Sequence, residues 1–356
     1  MVCLSGWGGV PMEFRKQIST VELLTPHRFE RETQIVEYRE DPLTGSYSRI
    51  NVARAGRRRQ GQRGELDLSE VVASTKGDCF FCPQNIEQQT PKFPPRICPQ
   101  GRIERGECLI FPNLFPFAEY HAVGTLSRKH SLDLDEFTPE MILDNLMASR
   151  EYIAAVHRVD EGAKYPMWIW NHLPPSGASI IHPHVQILVD KAPAPQLREL
   201  VERGEAYLAH HGTNYWHDLI TEERRLGQRY IGENDSVAVI ASYAPRGNRE
   251  VQLIVKDRGN LGDLKEKQAA DLAASIVKIL RCYKGMGVNS FNLVTYSAPL
   301  GENPDYYCLN ARIISRPVFQ PFYTSDTGFM ERFYDVWVIE TLPEDIARQM
   351  KPFFAR

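Results

Sequence analysis

From Cys108 onward the chain passes through one order of elements twice, and that recurrence limits the folds open to it. Apolar, strand-like stretches at 109–111 and 121–126 lead into a helix, and strands follow at 167–170 and 184–189. Thr138 suits an N-cap and Pro139 the first helical position, after which Ile142, Leu146, Ile153 and Val156 recur at helical spacing. Strand-like 237–242 and 251–255 then precede a second helix, expected from about Leu264 with Asp263 and Glu266 as a capping box. Its stripe is Leu272, Ile276, Ile279 and Leu280, Gly285 and Gly287 end it, and strands at 290–295 and 306–314 close the copy. A strand-strand-helix-strand-strand unit used twice predicts an α+β fold of two antiparallel-sheet units, each carrying a long helix.

The segments before and between the copies have a different character. Residues 1–105 are rich in Arg, Pro, Gly and polar residues, with strand-like pieces such as 34–38 between turn signals, and read as an irregular lead-in that carries ligands. The division expected is 1–105 for this lead-in, 106–192 for the first unit, 193–235 for a helical linker, and 236–356 for the second unit and tail. A net charge of -3 over 356 residues argues against a protein that relies on a strongly basic surface to hold nucleic acid. No run of eighteen or more apolar residues occurs, and residues 1–10 lack the pattern of a signal peptide, so the reading is a cytoplasmic protein that engages no membrane. Of seven cysteines only Cys79 and Cys82 have metal-ligand spacing; Cys3, Cys98, Cys108, Cys282 and Cys308 are scattered and read as buried thiols in a reducing compartment.

Chemistry concentrates in His182-Pro183-His184-Val185-Gln186. On a strand, side chains two apart leave the same face, so His182, His184 and Gln186 form one polar row while Val185 and Ile187 face the other way. Cys79 and Cys82 offer two thiolates to a tetrahedral zinc that needs two further ligands, for which His182 and His130 are the candidates. A redox dithiol or a chance pair in a loop is the alternative. Core histidines, a metal site using both rings, and one structural ligand beside one free nucleophile all compete for the two histidines. A metal-dependent hydrolase would need more ligands downstream, where only His210, His211 and His217 remain, in the polar linker. The turn-rich stretch from Asn171 through Ser176, Gly177 and Ser179 feeds into the histidine pair, where its amides and hydroxyls can wrap a phosphate or simply form a loop.

Taken together, Cys79-x-x-Cys82, the single His130, and then Asn171, Gly177, Ser179, His182, His184 and Gln186 resemble the galactose-1-phosphate uridylyltransferase branch of the histidine triad superfamily. Asp41-Pro42-Leu43-Thr44-Gly45 and Arg54-Ala55-Gly56-Arg57 are similar to early elements of that family, and Asn113 stands where it has a nucleotide-contacting asparagine. The resemblance covers most of residues 40–190 and implies a duplicated histidine-triad fold, a ping-pong mechanism through a nucleotidyl-histidine, and a dimer with sites near the subunit boundary. It also implies that Cys79, Cys82, His130 and His182 bind zinc and that His184 is the nucleophile. By the same resemblance, Gln186 and Ser179 meet the phosphoryl group, and Arg54, Arg57, Asn113, Asn171 and Gly177 lie on the nucleotide side. Arg57, Arg58, Arg59 and Arg63 also form a basic run of the kind found on solvated faces, so Arg54 and Arg57 are assigned as ligands through the resemblance alone.

The second half follows the family less closely. Tyr296, Asn310 and Arg312 occupy places where it often has histidines, so a second, iron-type metal site is not expected. Glu340 stands where a hexose-contacting glutamate is found, without the lysine and glutamine expected around it. Tyr243, Arg312 and Tyr334 are open as substrate contacts or as packing. The function implied is transfer of a nucleoside monophosphate, UMP foremost, from a nucleoside diphosphate sugar to a sugar 1-phosphate. The alternatives are a phosphorylase or adenylyltransferase acting on ADP-sugars or dinucleoside polyphosphates, a non-catalytic nucleotide-sugar sensor, and a zinc-braced nucleic-acid module.

Overall fold

The computed structural model describes residues 12–57, 68–302 and 304–355. Cys3, the 1–10 stretch and Arg58, Arg59 and Arg63 of the basic run lie outside the described residues. The chain begins with β1 (Lys16–Leu24), β2 (Arg31–Glu40) and β3 (Tyr47–Ile50), followed by short helices α1 (Leu68–Lys76) and α2 (Pro83–Gln89). The first unit comprises β4 (Ile103–Arg105), β5 (Cys108–Pro112), β6 (His121–Thr125), α3 (Pro139–Val159), β7 (Tyr165–His172) and β8 (His184–Asp190). Linker helices α4 (Pro195–His211) and α5 (Tyr215–Leu226) lead to β9 (Tyr230–Glu233), β10 (Val237–Ala241), β11 (Val251–Val255), α6 (Glu266–Gly285), β12 (Phe291–Tyr296) and β13 (Asn310–Ser315). The chain closes with α7 (Phe329–Tyr334), β14 (Val336–Ile339) and α8 (Pro343–Phe354).

The expected repeat is present, but its two halves do not form separate sheets. β7 pairs antiparallel with β12, Asn171 opposite Asn292 and Ile169 opposite Val294, so the copies join into one ten-stranded sheet ordered β4-β5-β6-β8-β7-β12-β13-β11-β10-β9. Pairing the two halves removes an open edge from each, which is the physical reason one sheet forms. Burial alternates along both seam strands. Trp168, Trp170, Phe291 and Leu293 point into the core, where α3 and α6 pack on the same face of the sheet and against each other.

The helix ends follow local chemistry. Thr138 accepts the Met141 N–H at 3.4 Å and Pro139 opens α3. In the second helix the start lies later than Leu264, because Asp263 takes the Asn260 amide (2.9 Å) and Gln268 closes the box on the Lys265 N–H (3.0 Å). α3 approaches β6 closely at Gly124, where a Cβ would lie 2.8 Å from the Asn145 amide nitrogen.

The opposite face of the sheet is divided between the halves. Over the second half, α4 and α5 cover Ala238, Ile240 and Ile254 with Leu197, Leu200, Trp216 and Leu219. Over the first half this face carries the polar row. The 1–105 segment is more regular than a loop-rich lead-in, since β1, β2 and β3 form a meander completed by β14, which runs parallel to β3 from the far end of the chain. No local pattern announces a pairing across that sequence distance. Cys98, Cys108, Cys282 and Cys308 are buried and unpaired. No helix of the described residues is long and apolar enough to cross a membrane.

Arg312 settles as an internal charge. It faces Glu250 at 3.3 Å and Asp41 at 3.9 Å, with the Tyr296 ring 5.8 Å away. Asp41 also receives the Leu43 and Thr44 N–H groups at 3.0 Å, so the Asp41–Gly45 turn seats its carboxylate against the second unit. Tyr243 is buried beneath the Arg39 and Arg229 guanidinium groups, each 4.9 Å from its ring, whereas Tyr334 is exposed. Replacing Arg312 by Leu leaves the buried Glu250 carboxylate without its guanidinium partner and should cost about 3–5 kcal/mol in urea unfolding. A loss below about 1 kcal/mol would mean that Arg312 does not balance Glu250.

Candidate active site

The two cysteines lie in the turn between α1 and α2, where the Cys82 N–H closes onto the Cys79 carbonyl at 3.2 Å and Pro83 starts α2. His130 follows β6 and His182 stands two residues before β8. The four side chains are buried, and their ligand atoms all lie within 4.8 Å of one another. Cys82 Sγ is 3.3 Å from His130 Nδ1 and 3.7 Å from His182 Nδ1, and Cys79 Sγ is 3.8 Å from His182 Nδ1. A tetrahedron with bonds of roughly 2.0–2.3 Å has edges of about 3.3–3.8 Å, so the cluster has the size of a metal site.

Outer hydrogen bonds aim both imidazoles inward. His182 Nε2 donates to the Ser127 carbonyl at 2.8 Å. The Thr75 hydroxyl gives its proton to the Val71 carbonyl (2.7 Å) and therefore accepts from His130 Nε2 (3.0 Å). Each Nδ1 thus turns a lone pair toward the thiols, the arrangement that metal-ligating histidines adopt. Burial and the adjacent Cys79 push the Cys82 thiol up to about 12, and burial pulls His182 down to about 4. Left to themselves Cys82 and His182 stay neutral, whereas a bound cation makes a thiolate favourable. The residues present fit a metal ion.

His184 stands outside this cluster. Its Nδ1 donates to the His182 carbonyl at 2.7 Å, which places the remaining lone pair on Nε2, and Nε2 has no hydrogen-bond partner among the described residues. The ring lies edge-on to Phe81 with centroids 5.3 Å apart, and burial holds its pKa below the ordinary histidine value. It is 8% exposed, so the pocket does not seal it. A neutral imidazole with an open Nε2 is a competent nucleophile.

The neighbouring groups are arranged by strand register. Gln186 lies opposite Val123 on β6 and Ile169 on β7, which puts it on the same face as His121 and Asn171. Gln186 Oε1 is 2.8 Å from His121 Nε2, and Asn171 Oδ1 accepts from Asn292 Nδ2 at 2.6 Å. Asn113 accepts the Phe115 N–H at 2.9 Å beside the exposed side chains of Leu114, Phe115 and Phe117. In the loop before His182, the Ser176 hydroxyl donates to the Leu173 carbonyl at 2.7 Å and is not turned outward, while Ser179 is exposed. Gly177 adopts φ +92 with open space where a Cβ would stand, so its requirement is conformational.

Arg54 and Arg57 come from the turn Val52–Gly56 and its C-cap, and with Glu340, Arg249, Arg316 and Asp326 they line a cleft of about 460 Å³. Arg57 forms an ion pair with Glu340. His184, Gln186, Ser179 and Asn113 are not in that lining; the cleft reaches the histidine face through Arg316, which donates to Asn292 Oδ1 at 2.7 Å. Sequence reading passed over His121, Asn292, Arg316 and Thr75. None sits in a local motif, and only the register of the paired strands could have marked the first two.

No family model matches the chain. An uncharacterized protein of Archaeoglobus fulgidus is 31% identical over 345 residues, covering 97% of this chain and 99% of its own length. The galactose-1-phosphate uridylyltransferase of Schizosaccharomyces pombe is 25% identical over 302 residues, covering 77% of this chain and 80% of its own. Among solved structures, an ADP-glucose phosphorylase from Arabidopsis thaliana superposes with a TM-score of 0.70 at 20% identity, over 89% of this chain and 98% of that one.

Substituting Cys82 or His182 by Ala should lower bound metal, measured by elemental analysis, at least ten-fold, while His184→Ala should leave it at the wild-type level. Loss of the metal in His184→Ala would mean that the two histidines exchange roles.

Proposed function

We propose that this chain, which belongs to the galactose-1-phosphate uridylyltransferase-like branch of the histidine triad superfamily, moves a nucleoside monophosphate, UMP foremost, between hexose 1-phosphates through a covalent intermediate on His184. One observation carries the reading: His184 is held by its Nδ1 on the backbone of a metal-cluster residue and keeps Nε2 open. A pure sensor has no need of such a nucleophile.

In the first half-reaction the Nε2 lone pair attacks the α-phosphorus of a nucleoside diphosphate sugar. A P–N bond forms as the bond from that phosphorus to the bridging oxygen breaks, and the electron pair leaves on the sugar 1-phosphate. In the second, a phosphate oxygen of the incoming hexose 1-phosphate attacks the same phosphorus, and the P–N electrons return to Nε2. The His182 carbonyl, 2.7 Å from Nδ1, stabilises the cationic ring of the intermediate and fixes its plane throughout. Gln186 and Asn171 offer amide donors to non-bridging oxygens, and an amide cannot take a proton from water as a base would. Ser179 and Gly177 lie in the loop that receives the phosphoryl group. Asn113 contacts the nucleotide, and Arg54 and Arg57 neutralise phosphate oxygens. The ion held by Cys79, Cys82, His130 and His182 is zinc, which in a closed four-ligand site braces the start of β8. The protein works as a homodimer, as the resemblance implies.

A second reading, phosphorolysis of an ADP-sugar or dinucleoside polyphosphate, draws support from Glu340. Its carboxylate is engaged by Arg57 and is not held open for a hexose, which suits an acceptor made of phosphate alone. The superposition on an ADP-glucose phosphorylase points the same way.

Intact-mass measurement after mixing the protein with UDP-glucose or ADP-glucose should show a gain of one nucleoside monophosphate, absent in His184→Ala. The base that yields the adduct, and whether hexose 1-phosphate or orthophosphate discharges it, separates the two readings. A wild-type protein that acquires no adduct from either sugar while turning one over would rule out covalent transfer.

A further inference from the structure

A carboxamide, Asn171, shares the sheet face with His184, and the protein has already decided which end of it faces the substrate. The chain of decisions starts at Arg316, clamped by Asp326 through contacts of 2.7–3.1 Å. A guanidinium can only donate, so Asn292 Oδ1, 2.7 Å from it, must accept. That leaves Asn292 Nδ2 to donate to the Ser176 carbonyl at 2.8 Å and to Asn171 Oδ1 at 2.6 Å. The oxygen of Asn171 is thereby occupied, and its NH2 has no partner among the described residues.

The orientation matters because a carboxamide rotated by half a turn has nearly the same shape but presents an oxygen to a phosphate oxygen. Packing cannot select between the two states; only a donor behind the amide oxygen can. The geometry points to Asn292 and Arg316 as positioning residues that hold Asn171 as an outward NH2 donor beside His184, an inference that rests on the nucleotidyl-transfer reading. Asn292 on β12 and Arg316 just after β13 both belong to the second unit. The copy that lacks a histidine pair thereby sets the polarity of the copy that has one.

A mutant cycle tests this on single-turnover formation of the adduct from UDP-glucose. Asn171→Ala should slow it about 10²–10³-fold, as for the loss of one transition-state donor. Asn292→Leu should slow the wild type about ten-fold yet change the Asn171→Ala protein less than about two-fold, whereas combined with Gln186→Ala the two effects should multiply. KM should move less than kcat, and metal content should stay at the wild-type level. If Asn292→Leu slows Asn171→Ala as much as it slows the wild type, Asn292 does not act through Asn171 and the proposal falls.

A measurement on the resting wild-type protein needs no turnover. Neutron diffraction should show the Asn171 amide deuterons on the side away from Asn292, and deuterons facing Asn292 would overturn the relay. Absence of any adduct from nucleotide sugars counts against the transfer reading itself, and the neutron map then decides the relay by itself.

Discussion

The seam between β7 and β12 is the contact on which the rest of the molecule depends. Across it Asn171 meets Asn292 in a 2.6 Å hydrogen bond, and behind that bond Trp168, Trp170, Phe291 and Leu293 fill a core shared by both copies. Without the pairing each half would carry an open sheet edge, and α3 and α6 would lose the common surface on which they pack. The seam therefore does two jobs with one set of strands: it makes ten strands a single sheet, and it brings polar residues of the second copy up to the first copy's reaction face.

Duplication has let the two copies diverge in opposite directions. In the first, the sheet face away from the helices carries His184 and Gln186, with the buried metal cluster at the start of β8. In the second, the equivalent face is covered by α4 and α5, and its charged centre is the buried Arg312 between Glu250 and Asp41. A guanidinium that neutralises two carboxylates inside the protein fills the space with fixed charge and leaves no open coordination or nucleophile.

The metal cluster and the polar strand row were legible because their groups are close in sequence or bear a signature. Two cysteines three apart, and histidines and a glutamine two apart on a strand, announce one metal corner and one polar face, and the structure assembles Cys79, Cys82, His130 and His182 as that reading requires. Ser176 takes the simple loop alternative, because a hydroxyl in a turn can bond its own backbone, and here it does. Arg54, Arg57 and Glu340 gather in one cleft, yet their distance from the histidine face within the chain's own fold is not something a motif reports. His121 and Asn292 look like ordinary strand residues until the register of neighbouring strands is known.

Periodicity and short motifs by themselves marked the repeated unit, the two long helices, the N-cap of α3 at Thr138 and the Cys79/Cys82 corner of the metal cluster. These depend on spacings within a few residues, where backbone geometry leaves little freedom. Tertiary structure alone decided that the two units share one sheet, that β14 completes a sheet with the N-terminal strands, and that Arg316 governs which way the Asn171 amide faces. Those outcomes arise from pairings between segments far apart in the chain, whose register is chosen by burial over the whole core and leaves no local trace in either partner.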